Sequence, residues 1–229
     1  MVFSIPHLPF EVAPFALSGR VYGALLNHRT AVDMLAGAAA QVPYKGLPTA
    51  PVLFIKPRNT LAVSGDPVEV PPGEEDLEVA AMVGLVIGRS ACAVPESQAH
   101  EHVAGYLIVN DVSVPHSSYY RPAVRCKARD GFCPVGPKVA SPGAVGDVDR
   151  LSIRTYVDGV LAQITNTAQL IRPAARLLAD VTEFMTLSPG DVLALGAAAP
   201  APRARAGQTV AIEIDGIGRL ENPLVAARA

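Results

Sequence analysis

The chain has 229 residues, half of them hydrophobic and 17% charged, with a formal net charge of −2. That is enough apolar material for one large core, and it lacks the high charge and low hydropathy of a disordered chain. There is no basic cluster of the kind that binds nucleic acid or an anionic membrane surface. Tryptophan is absent, so the core has to be built mainly from aliphatic side chains.

From the N-terminus, residues 1–17 are apolar in places but carry three prolines and an acid. They read as an arm rather than a secretory signal, which needs a basic start and an unbroken apolar run. Residues 30–41 are alanine-rich and predict a helix. Short β-branched and aliphatic runs at 52–55, 83–87, 106–109, 151–157, 192–195 and 210–214 predict strands. Turn residues bound them, including Ser64-Gly65-Asp66, Pro71-Pro72-Gly73, Ser188-Pro189-Gly190 and Asp215-Gly216. Asp158-Gly159 between two apolar triplets predicts a two-residue hairpin. Residues 95–104 predict a short helix that starts on Pro95. Residues 173–185 predict an amphipathic helix, with Leu177, Leu178, Val181, Phe184 and Met185 on one face. The expected fold class is mostly β with a few short helices, in a single domain over 1–229 whose residues 1–45 form an arm and lid region.

The three cysteines, Cys92, Cys126 and Cys133, are odd in number and irregularly spaced, which fits neither a disulfide framework nor a zinc site. Free thiols in a reducing cytoplasm are the expectation. Cys126 beside Lys127 has no positioned base in the sequence and reads as a packed thiol. No phosphate loop, nucleophile elbow or metalloprotease motif occurs. No apolar stretch is long enough to cross a membrane.

Four stretches share a pattern with a known family. They are Ile55-Lys56-Pro57-Arg58-Asn59-Thr60-Leu61, the run 86–113 beginning Val86-Ile87-Gly88-Arg89, the run 119–137 with its Lys127-Ala128-Arg129-Asp130-Gly131-Phe132 core, and the run 184–196 with Leu187-Ser188-Pro189-Gly190-Asp191. In this order they resemble the fumarylacetoacetate hydrolase superfamily along nearly the whole chain. Within it, the 119–137 version is similar to the isomerase/decarboxylase branch of 4-hydroxyphenylacetate breakdown, and more to the first than to the second half of that fused protein.

The resemblance implies a mixed β-sandwich roll, usually dimeric, with Mg²⁺ or Mn²⁺ at its mouth. The metal would hold a 2-oxo acid and stabilise its enolate. As partners it implies a small 2-oxo di- or tricarboxylate, and a second copy or a paralogous subunit. A non-catalytic subunit beside an intact paralogue, and an acylpyruvate hydrolase or oxaloacetate decarboxylase, remain as alternatives.

Residue by residue, the family's two metal-binding glutamates align with Ala80 and Met82, while Asp111 matches the third ligand. Glu78 shares the strand face of Ala80. A two-residue slip or a bulge would bring it in as a ligand; otherwise it is a solvated strand-end acid. Asp111 has its own second reading, as a strand-end acid accepting backbone hydrogen bonds. Lys127 matches the lysine that contacts substrate, and Lys127 and Arg129 are expected to alternate on one strand face. The alternative for Lys127 is a surface ion pair of little worth.

Tyr119, Arg121, Arg129, Asp130 and Thr167 are the expected substrate contacts, with Arg121 suited to a distal carboxylate. The alternatives are a surface loop for the first two and a helix N-cap for Thr167. The family's lid histidine and glutamate align with Ala31 and Met34. His28 is nearby, either as the proton shuttle in their place or as a surface residue of the lid.

Overall fold

The computed structural model describes residues 8–9, 16–119 and 122–227. Strand β1 (Val21–Leu25) leads into helix α1 (Arg29–Ala39), followed by β2 (Val52–Lys56), β3 (Leu61–Ala62) and β4 (Val68–Val70). Two long strands, β5 (Leu77–Ile87) and β6 (Val103–Ser113), form the middle of the molecule. The one-turn helix α2 (Val124–Lys127), β7 (Cys133–Ala140), the one-turn helix α3 (Pro142–Val145), β8 (Ser152–Val157) and β9 (Val160–Asn166) come next. Helix α4 (Ala174–Thr182) and strands β10 (Val192–Ala194), β11 (Arg203–Ala204), β12 (Thr209–Ile214) and β13 (Gly218–Ala226) complete the described chain.

The strands make two sheets. The larger runs β2-β1-β10-β5-β6-β7-β3, with β11 on β5, and mixes parallel and antiparallel pairs. The smaller runs β4-β13-β12-β8-β9. The fold is mostly β, with few and short helices, as the pattern of short apolar runs and turn residues predicts.

Alternation along β5 explains why both its faces are buried. Ala81, Val83, Leu85 and Ile87 point into the core shared with α4 and the smaller sheet, among Leu177, Val181, Ile212 and Leu220. Met82 and Val86 point the other way, to Leu107, Val109, Val135 and Val192.

The hairpin at Asp158-Gly159 forms as read, with both residues at positive φ and Val157 paired to Val160. The expected helix at 95–104 is instead a 3-10 segment over Glu96–His102, because Val103 already belongs to the β6 ladder opposite Ile87. The 173–185 helix is shorter than its periodicity suggests. Leu177, Leu178 and Val181 are fully buried, but Phe184 is 64% exposed. The carbonyl and hydroxyl of Thr182 accept the N–H groups of Ala93 and Val94, which stops the helix and turns Phe184 outward.

The Pro189-Gly190-Asp191 turn is structural. Asp191 accepts hydrogen bonds from the Ser188 N–H and the Ser18 hydroxyl. Gly190 takes φ +85° while its carbonyl accepts the Ser18 N–H at 2.8 Å. A Cβ at Gly190 would lie 2.7 Å from the Ala16 carbonyl oxygen and 2.8 Å from the Ser18 nitrogen. Gly190→Ala is therefore expected to lose at least about 1–2 kcal/mol from left-handed backbone strain alone, with the backbone clash adding to it. A urea midpoint unchanged from wild type would refute that account of the turn.

Candidate active site

A cleft of about 670 Å³ opens where β5 and β6 run out past the core. Its floor is Ala80 and Met82 from β5 with Asp111 and Ser113 from β6. Helix α1 forms one wall through Ala31, Met34 and Leu35, and the segment from Pro115 to Tyr119 forms another. Lys127 reaches in from the end of α2, and Arg203 stands at the rim. A second, more apolar hollow of about 340 Å³ adjoins it and shares Leu25, His116, Tyr119 and Lys127.

Asp111 is buried on the floor between two lysines. Lys127 Nζ donates to its Oδ2 at 2.6 Å. Lys56 Nζ lies 2.8 Å from Oδ1. Lys56 is wholly buried and gives hydrogen bonds to the carbonyls of Val112, Lys127 and Phe132 at 2.7, 2.7 and 2.8 Å. Those three contacts use the donors of its ammonium, so its meeting with Oδ1 is an ion pair rather than a directed hydrogen bond, and that oxygen has no other partner. Lys127 also sits 4.9 Å above the Phe54 ring.

Burial pushes the Asp111 carboxyl up, but the two ammonium groups outweigh it and hold the group below the usual carboxylate value. Burial also pushes the Lys56 ammonium down, with Asp111 pulling it back. The trio carries one net positive charge.

Other expected site residues fall elsewhere. Lys127 and Arg129 do not alternate on a strand: Lys127 ends α2, and Arg129 follows in a turn with its Nε on the Arg125 carbonyl. Arg129 and Asp130 line a different hollow, with Glu69 and Phe132, and Asp130 accepts from Asn59 Nδ2. Thr167 is buried, its hydroxyl bridging the Val148 carbonyl and the Leu151 N–H, while Asn166 caps the short turn.

His28 is neither a cleft residue nor a surface one. It caps α1 and is buried, with Nε2 2.9 Å from the Thr165 hydroxyl and Nδ1 3.0 Å from that of Thr30. Burial pushes its pKa below the ordinary value, which favours the neutral ring. Tyr119 does line the cleft, its backbone N–H donating to the Tyr44 hydroxyl. Arg121 lies outside the described residues. Cys133 is buried and its thiol is pushed up to about 12 by desolvation, which makes it a poor nucleophile.

The residues present do not fit Mg²⁺ or Mn²⁺. A hard dication takes oxygen donors, including one or two carboxylates. In the β5–β6 ladder Ala80 faces Asp111, and Met82 is next on that face. A methyl and a thioether offer no hard oxygen. Glu78 faces Ser113 instead and pairs with Arg203 at 3.4 Å. Both oxygens of Asp111 already meet ammonium groups. Among the described residues no group of three His, Cys, Asp or Glu is placed to hold a metal. Asp111 and Glu78, the expected metal ligands, each sit in a separate ion pair in this structure.

Sequence reading gave Lys56 no role, though it lies in a motif stretch. The signal was available: period two puts it on the same strand face as Phe54, so a charged side chain was being turned inward. Lys56→Met should cost about 3–5 kcal/mol in urea unfolding, because it strands a buried carboxylate and three carbonyls. Asp111 has a depressed folded pKa. Its contribution is present above its unfolded value of about 4 and is lost as pH falls through the folded value. Wild-type stability should accordingly fall more steeply below about pH 4 than that of Asp111→Asn, and parallel pH profiles would contradict this.

The family model described as "Fumarylacetoacetate (FAA) hydrolase C-terminal" matches residues 20–225. The chain is 43% identical over 212 residues to the 4-hydroxyphenylacetate degradation bifunctional isomerase/decarboxylase of Escherichia coli; the match covers 93% of this chain and 48% of that protein. The chain thus spans about half the length of that curated relative. Its fold matches the 5-carboxymethyl-2-hydroxymuconate delta-isomerase of Mycobacterium smegmatis with a TM-score of 0.80 at 30% identity, over 95% of this chain and 82% of that one. It also matches maleylpyruvate hydrolase of Sphingobium sp. SYK-6, solved with manganese(II) and pyruvate, with a TM-score of 0.73 at 27% identity, over 91% and 71% of the two chains. By the extent of these matches the chain belongs to the fumarylacetoacetate hydrolase family.

Proposed function

We propose that this chain is one lobe of an isomerase/decarboxylase acting on unsaturated 2-oxo di- or tricarboxylates of homoprotocatechuate breakdown, and that its cleft handles the anion without a metal of its own. The observation that carries the reading is the excess positive charge on the cleft floor, where Lys127 is anchored by Asp111 yet borders open space. An ammonium has three donors and Asp111 takes one. The others are free to meet the 2-oxo acid end of a ligand and, as the enolate forms, its growing oxyanion charge. Because Asp111 and Phe54 hold Lys127 before the ligand arrives, little reorganisation is needed when that charge develops.

A second reading has its own support. Ala80 and Met82 stand at the metal-ligand positions while the framework around them is intact, and the isomerase/decarboxylase relative is about twice as long as this chain. On that reading the chain is a non-catalytic lobe beside a paralogue that holds the metal.

Titrating 2-oxoadipate into the purified chain in EDTA should give binding. Lys127→Met should weaken it at least about tenfold, the worth of a charge-assisted hydrogen bond. Mg²⁺ titrated to millimolar concentration should give no binding heat. Metal binding that Asp111→Ala abolishes would overturn the metal-free reading. Ligand binding without turnover of 2-hydroxyhepta-2,4-diene-1,7-dioate by the isolated chain would favour the non-catalytic lobe.

A further inference from the structure

The charge at Lys127 accounts for the head of a ligand but not for what receives its far end. The second hollow, of about 340 Å³, lies against β2, the edge strand of the larger sheet. Leu53, Phe54 and Ile55 line it from that strand, and Pro122, Ala123 and Val124 from the segment that leads into α2. Lys127 is on its wall and on the wall of the cleft, so a ligand anchored there borders both spaces. A mostly hydrocarbon lining with a few polar groups, at this volume, is what small-molecule pockets have.

Two further observations bear on what the hollow takes. Ile55 and Val124 both line it, yet they are 57% and 65% exposed, so two large apolar side chains face water there. A second carboxylate, by contrast, has no cation waiting for it. Among the described residues Lys127 is the one lysine or arginine that lines this hollow. In the cleft, Arg203 is already paired with Glu78 at 3.4 Å and Asp76 at 3.7 Å. Lys45 lines a third hollow and neither of these two. A carboxylate moved in among these side chains would give up its water without a counter-charge, which is costly. A methylene moved there gains by leaving water.

We propose that this hollow is a tail pocket, and that the site takes 2-oxo monocarboxylates with an unbranched aliphatic tail more tightly than dicarboxylates of the same length. This rests on the cleft holding a 2-oxo acid at Lys127. The head of the ligand keeps its place at the ammonium. The uncharged tail turns into the hollow and covers Ile55 and Val124. A dicarboxylate keeps its second carboxylate in the wider cleft and leaves the hollow unfilled.

The test is calorimetric titration of the whole chain, in EDTA, with 2-oxobutanoate, 2-oxohexanoate and 2-oxoadipate. At about three- to fourfold per added methylene, 2-oxohexanoate should bind about tenfold tighter than 2-oxobutanoate. It should also bind tighter than 2-oxoadipate, which has the same chain with a carboxylate in place of the final methyl. The heat-capacity change of binding should become more negative with the longer tail. Replacing two exposed side chains at once, Ile55→Ser with Val124→Ser, should flatten the dependence on length. Equal affinity for the two monocarboxylates, or 2-oxoadipate bound as tightly as 2-oxohexanoate, would overturn the tail pocket and leave the 2-oxo acid site standing. A double variant that keeps the dependence on length but loses a dimer in sedimentation would give this surface to a second copy of the chain and overturn the pocket too. Failure of all three ligands to bind would overturn both readings.

Discussion

Lys56 is a primary ammonium with no exposure to water, an arrangement that costs several kcal/mol unless every donor and the charge are matched. Here they are matched by elements far apart in sequence. The Val112 carbonyl comes from β6, that of Lys127 from the end of α2, and that of Phe132 from the residue just before β7. Asp111 supplies the counter-charge. One side chain at the end of β2 thus pins the segments that carry the cleft's charged groups. Such a network need not add stability over an apolar core of the same shape, but breaking it partway is expensive. That asymmetry keeps α2, a single turn with no side-chain cap, in one position.

The same anchor sets the electrostatics of the cleft. With Lys56 already facing Oδ1, Asp111 has only Oδ2 to offer Lys127, and the three groups sum to a positive charge. Phe54 backs Lys127 from the side, and its ring fits only because its cross-strand neighbour is Gly23; a Cβ there would lie 2.1 Å from the ring's Cζ. The floor opposite Asp111 is a methyl and a thioether. A cationic donor over an apolar floor favours an anion with a hydrocarbon middle over a dication, which would meet a like charge and few oxygens.

Much of this was legible in the chain. Each of the six strand runs lies largely within an observed strand, because aliphatic runs bounded by turn residues carry their own signal. Of the strands not foreseen, which include β1, β3, β4 and β11, the two longest are β7 and β13. Pro134 and Pro137 interrupt the first and Pro223 the second, so both read as loop, yet Pro134 lies near the strand's start where a missing N–H matters little. Phe184 kept the helical period but not the helix, since the competing acceptors on Thr182 serve Ala93 and Val94, remote in sequence. At the site, Ala80 and Met82 were already legible as the residues at the family's two glutamate positions, and the ladder puts Ala80 opposite Asp111 as that alignment requires. His28 and Thr167 were different. Their polar atoms are satisfied by Thr165, Val148 and Leu151, contacts that only the folded topology creates.

These misplacements share a cause that bears on the chemistry. A polar residue next to a lid or a strand end looks the same in sequence whether it faces a ligand or the backbone. What separates the two is satisfaction: the ring nitrogens of His28 and the hydroxyl of Thr167 have found partners inside the fold, so they have little left to offer a substrate. Lys127 keeps unspent hydrogen-bonding capacity at the boundary of a cavity. In a close-packed interior such capacity is costly to leave unmet. Its survival at Lys127, above a floor made of a methyl and a thioether, is the feature on which a metal-free reading of this cleft rests.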